Sequence, residues 1–565
     1  MAVFDKTNYE IMTVSSLEKI FLDQKPKACD LSLSGFRGEV VSFQIAYWSD
    51  FPFREFANVL VDSPIKDHIR IRSVESVPVS RATMHIVDDN YLRTTPGLYP
   101  DLLRDLDGDK RVKIRSNGWS ALWVDIMLDE KIPAGDYDIT ISLSLSGEDV
   151  GQAHASGDKG HIIGSQTVNV RVYDQVLPDT ETLHTEWFYA DCLADYYGVE
   201  VFSDDHWDII SNFMDSYVSL GCNMILTPLF TYPLDTQVVY ERTTTQLVDV
   251  EVRNGDYHFS YDKLKRWIDL ARSKGIKYFE MSHLFSQWGA KFAPKIIANV
   301  DGKEEKIFGW HTPSIGDYTD FLKAFIPDLR EKLIDWGIID RTYFHISDVP
   351  SVDNYQSFKD SFNSVKDLFD GLKTFEAISN YDFYKDGLVE IPVAASSVIH
   401  DFIDNDVDNL WTYYCVWQFE DVSNRYMAMP GSRTRMLGVQ MYKYDIKGFL
   451  HWGYNFYNSA LSYKAIDPYK VTDADDAFPA GDAFLVYPGD DKRPEESIRY
   501  KLIYDAFTDL RALKYLEKLS SRDYVLSLIK EGLKEDLTFY NYPTNNEYLL
   551  KLRGKINKEI DKREK

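Results

Sequence analysis

A rhythm that sets in near Leu183 constrains this chain more than any other feature. Eight short apolar runs occupy residues 184–190, 223–228, 277–284, 342–347, 374–378, 391–395, 409–414 and 448–452. Amphipathic stretches lie between them, at 205–220, 261–273, 318–336, 354–372, 397–404 and 433–444. Short apolar runs alternating with helical patterns are what a parallel sheet with crossover helices requires. Eight β units over roughly 300 residues match a (β/α)8 barrel. The stretch 318–336 places Phe321, Leu322, Phe325, Leu329, Leu333 and Trp336 at helical spacing, a stripe that faces a core. No clear helix follows the fifth run, where NYDFYKDG intervenes. A doubly wound open sheet is the structural competitor, but no glycine-rich nucleotide fingerprint follows the first run.

Upstream, residues 1–180 read as all-β. The segments 39–48, 120–129, 137–145 and 167–173 alternate apolar and polar residues, with Val168, Val170 and Val172 on one face of the last. Turn residues such as Pro133-Ala134-Gly135-Asp136 punctuate these runs, the pattern of a β-sandwich. The stretch 147–164, rich in Gly, Ser, Asp and His, is expected to be an exposed hairpin loop. After Ser497 the chain reads as helical, and the charged tail KLRGKINKEIDKREK as a solvated helix or frayed end. The expected organisation is a sandwich over 1–180, a barrel over 181–510 and a helical extension over 511–565.

Composition narrows the function. Lys plus Arg number 63 and Asp plus Glu 89, a formal net charge of −26 in 565 residues. An acidic surface repels phosphate backbones and anionic lipid, so neither nucleic acid nor membrane is expected as a partner. No run of about 18 apolar residues occurs. The N-terminus lacks a basic segment followed by an apolar one. Cys29, Cys192, Cys222 and Cys415 are scattered, with no CxxC. The expectation is a cytoplasmic protein with four reduced thiols; the oligomeric state is not legible.

In a (β/α)8 barrel the chemistry sits at the C-terminal ends of the strands. That rule selects Trp187, Tyr189 and Asp191 after the first run and His283, Gln287 and Trp288 after the third. It selects His345 and Asp348 after the fourth, and Asn380, Tyr381 and Asp382 after the fifth. Trp411, Tyr413 and Tyr414 lie on the seventh, and His451, Trp452, Tyr454 and Asn455 on the eighth. Aromatic faces stack on sugar rings, and Asp, Asn and His bind their hydroxyls, so the set points to a carbohydrate. The aromatics can equally fill the barrel, although barrel interiors favour branched aliphatics. His283, His311, His345 and His451 show no metal-ligand spacing, and neither a GxSxG elbow nor a phosphate loop is present. No metal or cofactor is expected.

Seven stretches carry a resemblance to a known family. They are NMILTPLFTYPLDT (223–236), HLFSQWGA (283–290), YFHISDVP (343–350), NYDFYKDGLVEIPV (380–393), NLWTYYC (409–415), KYDIKGFLHWGYNFYN (443–458) and AFPAGDAFLVYPG (477–489). Together they resemble glycoside hydrolase family 123, the retaining β-N-acetylgalactosaminidases. The resemblance implies substrate-assisted catalysis on a terminal β-linked N-acetylgalactosamine. The substrate's 2-acetamido oxygen attacks the anomeric carbon, an Asp orients the amide, and an adjacent Glu protonates the leaving oxygen. The family's Asp-Glu-Pro reads Asp348-Val349-Pro350 here, so Asp348 fits the amide-orienting residue and Val349 occupies the place of the acid. His283, Trp288, Tyr381, Trp411, Tyr413, Tyr414, Trp452 and Asn455 are expected to shape the sugar pocket. Valine cannot donate a proton. The chain is then a deliberately disabled variant, a natural member without the acid that acts as a catalytically silent glycan-binding protein or a very slow enzyme, or a glycosidase that takes its proton from elsewhere; a glycosidase with a relocated carboxylate pair and a non-acetylated substrate is a further alternative. Glu186, Asp191, His283 and Asp382 are the candidates for supplying the proton.

Overall fold

The computed structural model describes residues 7–52, 55–84, 87–106, 108, 110–145, 161–179 and 181–565. Most of the expected loop at 147–164 lies outside the described residues; its end opens the strand Ile162–Val176.

The N-terminal region folds into two five-stranded sheets. One runs in the order Tyr9–Ser15, Glu39–Ser49, Ser120–Leu128, Ile69–Val79, Gly97–Asp105, and every neighbouring pair is antiparallel. The other runs Ser32–Arg37, Ile162–Val176, Gly135–Leu145, Glu55–Asp62, Arg111–Ile114, with its first pair parallel. Phe43, Ile45, Leu122 and Val124 of the first sheet share one buried core with Ile139, Ile141, Val168, Val170 and Val172 of the second. The alternation in the sequence places these side chains there, because period two sends every second residue inward.

Each of the eight apolar runs coincides with a barrel strand, two of which begin one residue before the run, at Leu183 and Lys373. In chain order they are Leu183–Glu186, Met224–Thr227, Tyr278–Met281, Thr342–Phe344, Lys373–Ile378, Ile391–Ala395, Trp411–Tyr413 and Gly448–His451. All pair in parallel, and the eighth pairs with the first. Between the first two strands the ladder is thin. The Tyr217 hydroxyl spans this seam, accepting from Glu186 N at 3.0 Å and donating to Met224 O at 2.7 Å. Helices Asp204–Ser219, Asp262–Lys274, Asp317–Asp335, Tyr355–Val365, Gly431–Lys443 and Ile498–Leu519 return the chain. The fifth and sixth connections hold single turns, Asp382–Lys385 and His400–Ile403.

Three features depart from the reading of the sequence. A small four-stranded sheet (Asp256–Ser260, Asp249–Arg253, Ile296–Val300, Lys303–Phe308) interrupts the barrel's first half. Its hairpins turn at Asn254-Gly255 and Asp301-Gly302, all four residues at positive φ, as such two-residue turns require. Helix Ile498–Leu519 runs unbroken across the boundary expected at 510. The charged tail is neither solvated nor frayed. Helix Asn546–Glu564 buries Leu549, Leu552, Ile556 and Ile560, a stripe at spacings of three and four, and Arg553 pairs with Glu39 and Asp509. Among the described residues no helix is long and apolar enough to cross a membrane.

Candidate active site

Backbone pairing of the third and fourth strands continues past their formal ends. Leu284 N bonds His345 O, Phe285 N bonds Ile346 O, and Trp288 N bonds Asp348 O. Residues 283–288 are thereby carried alongside 345–348 toward the C-terminal end of the barrel.

At its centre is a polar cluster. Glu280, within the third strand, accepts hydrogen bonds from Thr185 Oγ1, Trp187 Nε1 and His345 Nε2, each at 2.6 Å. Glu376 Oε1 accepts from the backbone N–H groups of Ile346 and Ser347, and its Oε2 lies 3.5 Å from His345 Nδ1. Burial pushes the His345 pKa down, but bonds and charge from Glu280 and Glu376 outweigh it and hold the imidazole at about 9. It is therefore a buried cation between two carboxylates. His283 stacks on it at 4.1 Å and 12°, and burial keeps His283 neutral, with its pKa well below the usual range.

His283, His345 and Glu376 have the donor atoms for a metal ion within 4.8 Å of one another. Stacked rings hold their lone pairs in separate, nearly parallel planes, however, and a metal ion lies near the plane of each imidazole it binds. With His345 also committed to Glu280, the cluster is a poor fit for a metal.

Asp348 follows the fourth strand, 5% exposed. Its Oδ2 accepts from Gln287 Nε2 at 2.8 Å. Burial raises its pKa to about 7, against the Gln287 bond and the His345 charge. Gln287 Oε1 in turn accepts from Asp235 N at 2.6 Å. Asp235, after the second strand, is 8% exposed; its Oδ2 accepts from Leu461 N, and burial raises its pKa to about 6. Val349 is half-buried with φ 37, a backbone that β-branched residues avoid.

The other expected residues divide. Tyr413 ends the seventh strand, where burial pushes its hydroxyl pKa well above the usual range, with Cys415 and Asp348 nearby. Trp452 donates from Nε1 to Asp482 Oδ2 at 2.6 Å. Trp288 is exposed, and Tyr381 is half-buried against Phe402. Three are committed elsewhere. Trp411 begins its strand rather than ending it, and packs in the barrel floor against Phe375 and Tyr343, where Gly448 leaves room for its ring. Tyr414 faces the other side of the sheet, between Phe449 and His451. Asn455 spends its amide on the backbone of Tyr189, accepting from N and donating to O.

The candidate proton donors divide in the same way. Glu186 is locked to Arg425 at 2.7 Å, and Asp191 holds Arg242 with both oxygens at 2.7 and 2.9 Å. Asp382 is exposed at the start of its short helix.

Sequence reasoning missed Glu280, Glu376, Asp235 and Asp482. The first two carried a signal, an acid within an apolar strand run (YFEM, TFEAI), which burial allows only with partners. Asp482 is fully buried; burial raises its pKa to about 7, against Arg425 and the Trp452 indole.

A parallel eight-stranded barrel with buried carboxylates and aromatics at its C-terminal end is a frame on which glycosidases are built. The family model of the glycoside hydrolase 123 catalytic domain matches residues 187–516, and the chain belongs to that family. A family 123 glycoside hydrolase from Clostridium perfringens, described for glycolipid glycan hydrolysis, shares the fold. The two align with TM-score 0.73 at 15% identity, over 99% of this chain and 98% of that one. A β-glucuronidase from Bacteroides uniformis aligns over 88% of this chain and 52% of its own, at 10% identity and TM-score 0.30, too distant to support an argument. No curated protein matches the sequence.

Proposed function

We propose that the chain hydrolyses terminal β-linked N-acetylgalactosamine with retention, through participation of the substrate's own acetamide. Asp348 carries the reading. It is a buried carboxylate at the end of the fourth strand, with one oxygen fixed by Gln287 and the other accepting from no protein group among the described residues. That free oxygen suits an acetamido N–H. When the amide oxygen attacks the anomeric carbon, positive charge spreads onto the nitrogen and Asp348 stabilises it, a preorganised charge aimed at the transition state. Tyr413, Trp452 and exposed Trp288 supply aromatic surface for the sugar. Family membership and the glycolipid-glycan activity described for the Clostridium relative support a glycan substrate.

Asp348→Asn should lower activity by about 10²-fold or more, and weaken binding of a thiazoline mimic of the intermediate comparably. Mimic binding that is unchanged removes Asp348 from the mechanism. Calorimetry should show N-acetylgalactosamine binding more tightly than galactose; equal affinities contradict neighbouring-group participation.

Val349 favours a second reading, a catalytically silent glycan-binding protein on the same scaffold. Tight sugar binding without cleavage of even an activated aryl glycoside supports that reading over the first.

A further inference from the structure

We propose that Asp235, held beside Asp348 by the side chain of Gln287, is the general acid and base of this chain and does what Val349 cannot. The inference rests on the hydrolase reading above.

One primary amide spans the two aspartates: Gln287 accepts from Asp235 N through Oε1 and donates to Asp348 Oδ2 through Nε2. Each carboxylate has one oxygen held, Asp348 by Gln287 and Asp235 by Leu461 N at 3.0 Å. The remaining oxygen of each accepts from no protein group among the described residues, and neither is among the unpartnered atoms sealed from solvent. Both residues follow the C-terminal ends of their strands, the second and the fourth. The other buried acids are otherwise engaged. Glu280 is filled with donors, and Glu376 takes two backbone N–H groups on Oε1 while its Oε2 is sealed from solvent 3.5 Å from His345 Nδ1. Asp482 gives one oxygen to Trp452, while the other is sealed 3.5 Å from His451 Nε2.

Adjacent buried carboxyls repel, so such a pair retains a proton to higher pH than a lone acid. Arg242 opposes this at Asp235; at Asp348, His345 opposes it and Glu376 adds to it. In the free chain the higher value, about 7 against about 6, keeps the retained proton on Asp348; an acetamide N–H donating to Asp348 favours its ionised form, and the step requires that the bound sugar shift the proton to Asp235. As the acetamido oxygen bonds to the anomeric carbon, the bond to the leaving oxygen breaks. That oxygen keeps the electron pair and takes the Asp235 proton. Water then attacks the anomeric carbon, reopens the oxazoline and returns a proton to Asp235, so the cycle balances without any co-reactant.

A purely structural role competes. Asp235 also ties the loop after the eighth strand, through Leu461 N and through Ser462 Oγ, which donates to its carbonyl. Asp235→Asn separates the two. The amide oxygen still accepts from Leu461, and Asn tolerates φ 39 as Asp does.

The test uses the full chain and two substrates, a dinitrophenyl β-N-acetylgalactosaminide, whose leaving group needs no proton, and a β-N-acetylgalactosaminyl disaccharide. In D235N, kcat/KM on the disaccharide should fall about 10²–10⁴-fold, while that on the aryl glycoside stays within about ten-fold. The alkaline limb of the disaccharide pH profile should vanish, and thiazoline affinity should hold. Equal losses on both substrates, lost thiazoline affinity, or an unchanged disaccharide rate overturns the assignment. An unmodified chain that cleaves neither substrate overturns the hydrolase reading with it; one that cleaves both, with D235N unaltered, overturns Asp235 alone.

Discussion

Val349 takes a left-handed backbone, φ 37, immediately before Pro350. Two methyl groups on Cβ disfavour that region, and a following proline restricts the residue further. Strain of this kind costs about 1–3 kcal/mol and persists where its surroundings enforce it, typically next to functional groups. Val349→Gly should therefore raise stability by about 1 kcal/mol, read as a higher midpoint in urea. A loss of stability would show that the valine's packing outweighs its backbone strain. Asp348 and Asp482 store energy of another sort. Burial raises each from an unfolded value of about 3.9 to about 7. Between those values the folded chain holds protons that the unfolded chain has released, so stability falls as pH rises from about 4 to about 7. Asp482→Asn should flatten that slope, removing on the order of 2 kcal/mol of the difference between about pH 5.5 and 8. An unaltered slope would mean that Asp482 is not the group titrating.

Among the elements, the packing of Gly431–Lys443 on Ile498–Leu519 has the least slack. A Cβ on Gly438 would stand 1.9 Å from the Ala506 carbonyl oxygen, so the helices touch backbone to backbone. Gly438→Ala would force them apart and should cost about 1–3 kcal/mol despite alanine's better helix propensity, visible as a lowered melting temperature. This element scale is also where the sequence was most informative. Strands of a parallel barrel are covered on both faces, so they read as unbroken apolar runs, and all eight lay where such runs do. The inserted sheet had its signal in Asn254-Gly255 and Asp301-Gly302, but three of its four strands are largely polar and the fourth, Ile296–Val300, is short. The tail's stripe is one residue in three or four amid lysines and glutamates, so charge masks it. The strand-end rule selected Asp348, Tyr413 and Trp452, which the fold keeps at or beyond strand ends, yet could not tell the first residue of a run from the last. Trp411 therefore fell to the floor, and Tyr414, one position past Tyr413, to the opposite face. Asp235 and Gln287 lie in loops after different strands, and their meeting depends on the barrel having closed.

Across the whole molecule, buried ion pairs help to join the sandwich to the barrel. Asp101, on the sandwich strand Gly97–Asp105, accepts from Arg499 Nε and Nη2, each at 2.8 Å, and from the Tyr487 hydroxyl at 2.6 Å. Arg499 opens helix Ile498–Leu519 and also donates to the carbonyls of Gly481 and Phe484, flanking Asp482. Asp101 and Arg499 are both fully buried, so this one pair ties the sandwich to the loop that closes over the barrel. Similar links join Arg72 to Asp125 and Glu496, and Arg433 to Asp88. Removing one member of a buried pair leaves a naked charge, at a cost of about 3–5 kcal/mol. Asp101→Ala should thus destabilise strongly, and because Arg499 anchors the 481–484 loop, it should also weaken sugar binding from outside the barrel. A matched change of both residues, Asp101→Leu with Arg499→Met, leaves no unpaired charge and should recover much of the stability. Denaturant unfolding of the two variants, alongside their affinity for N-acetylgalactosamine, checks both statements. If the double variant is no more stable than Asp101→Ala, the pair's carbonyl and hydroxyl bonds, rather than its charge balance, hold the two parts of the chain together.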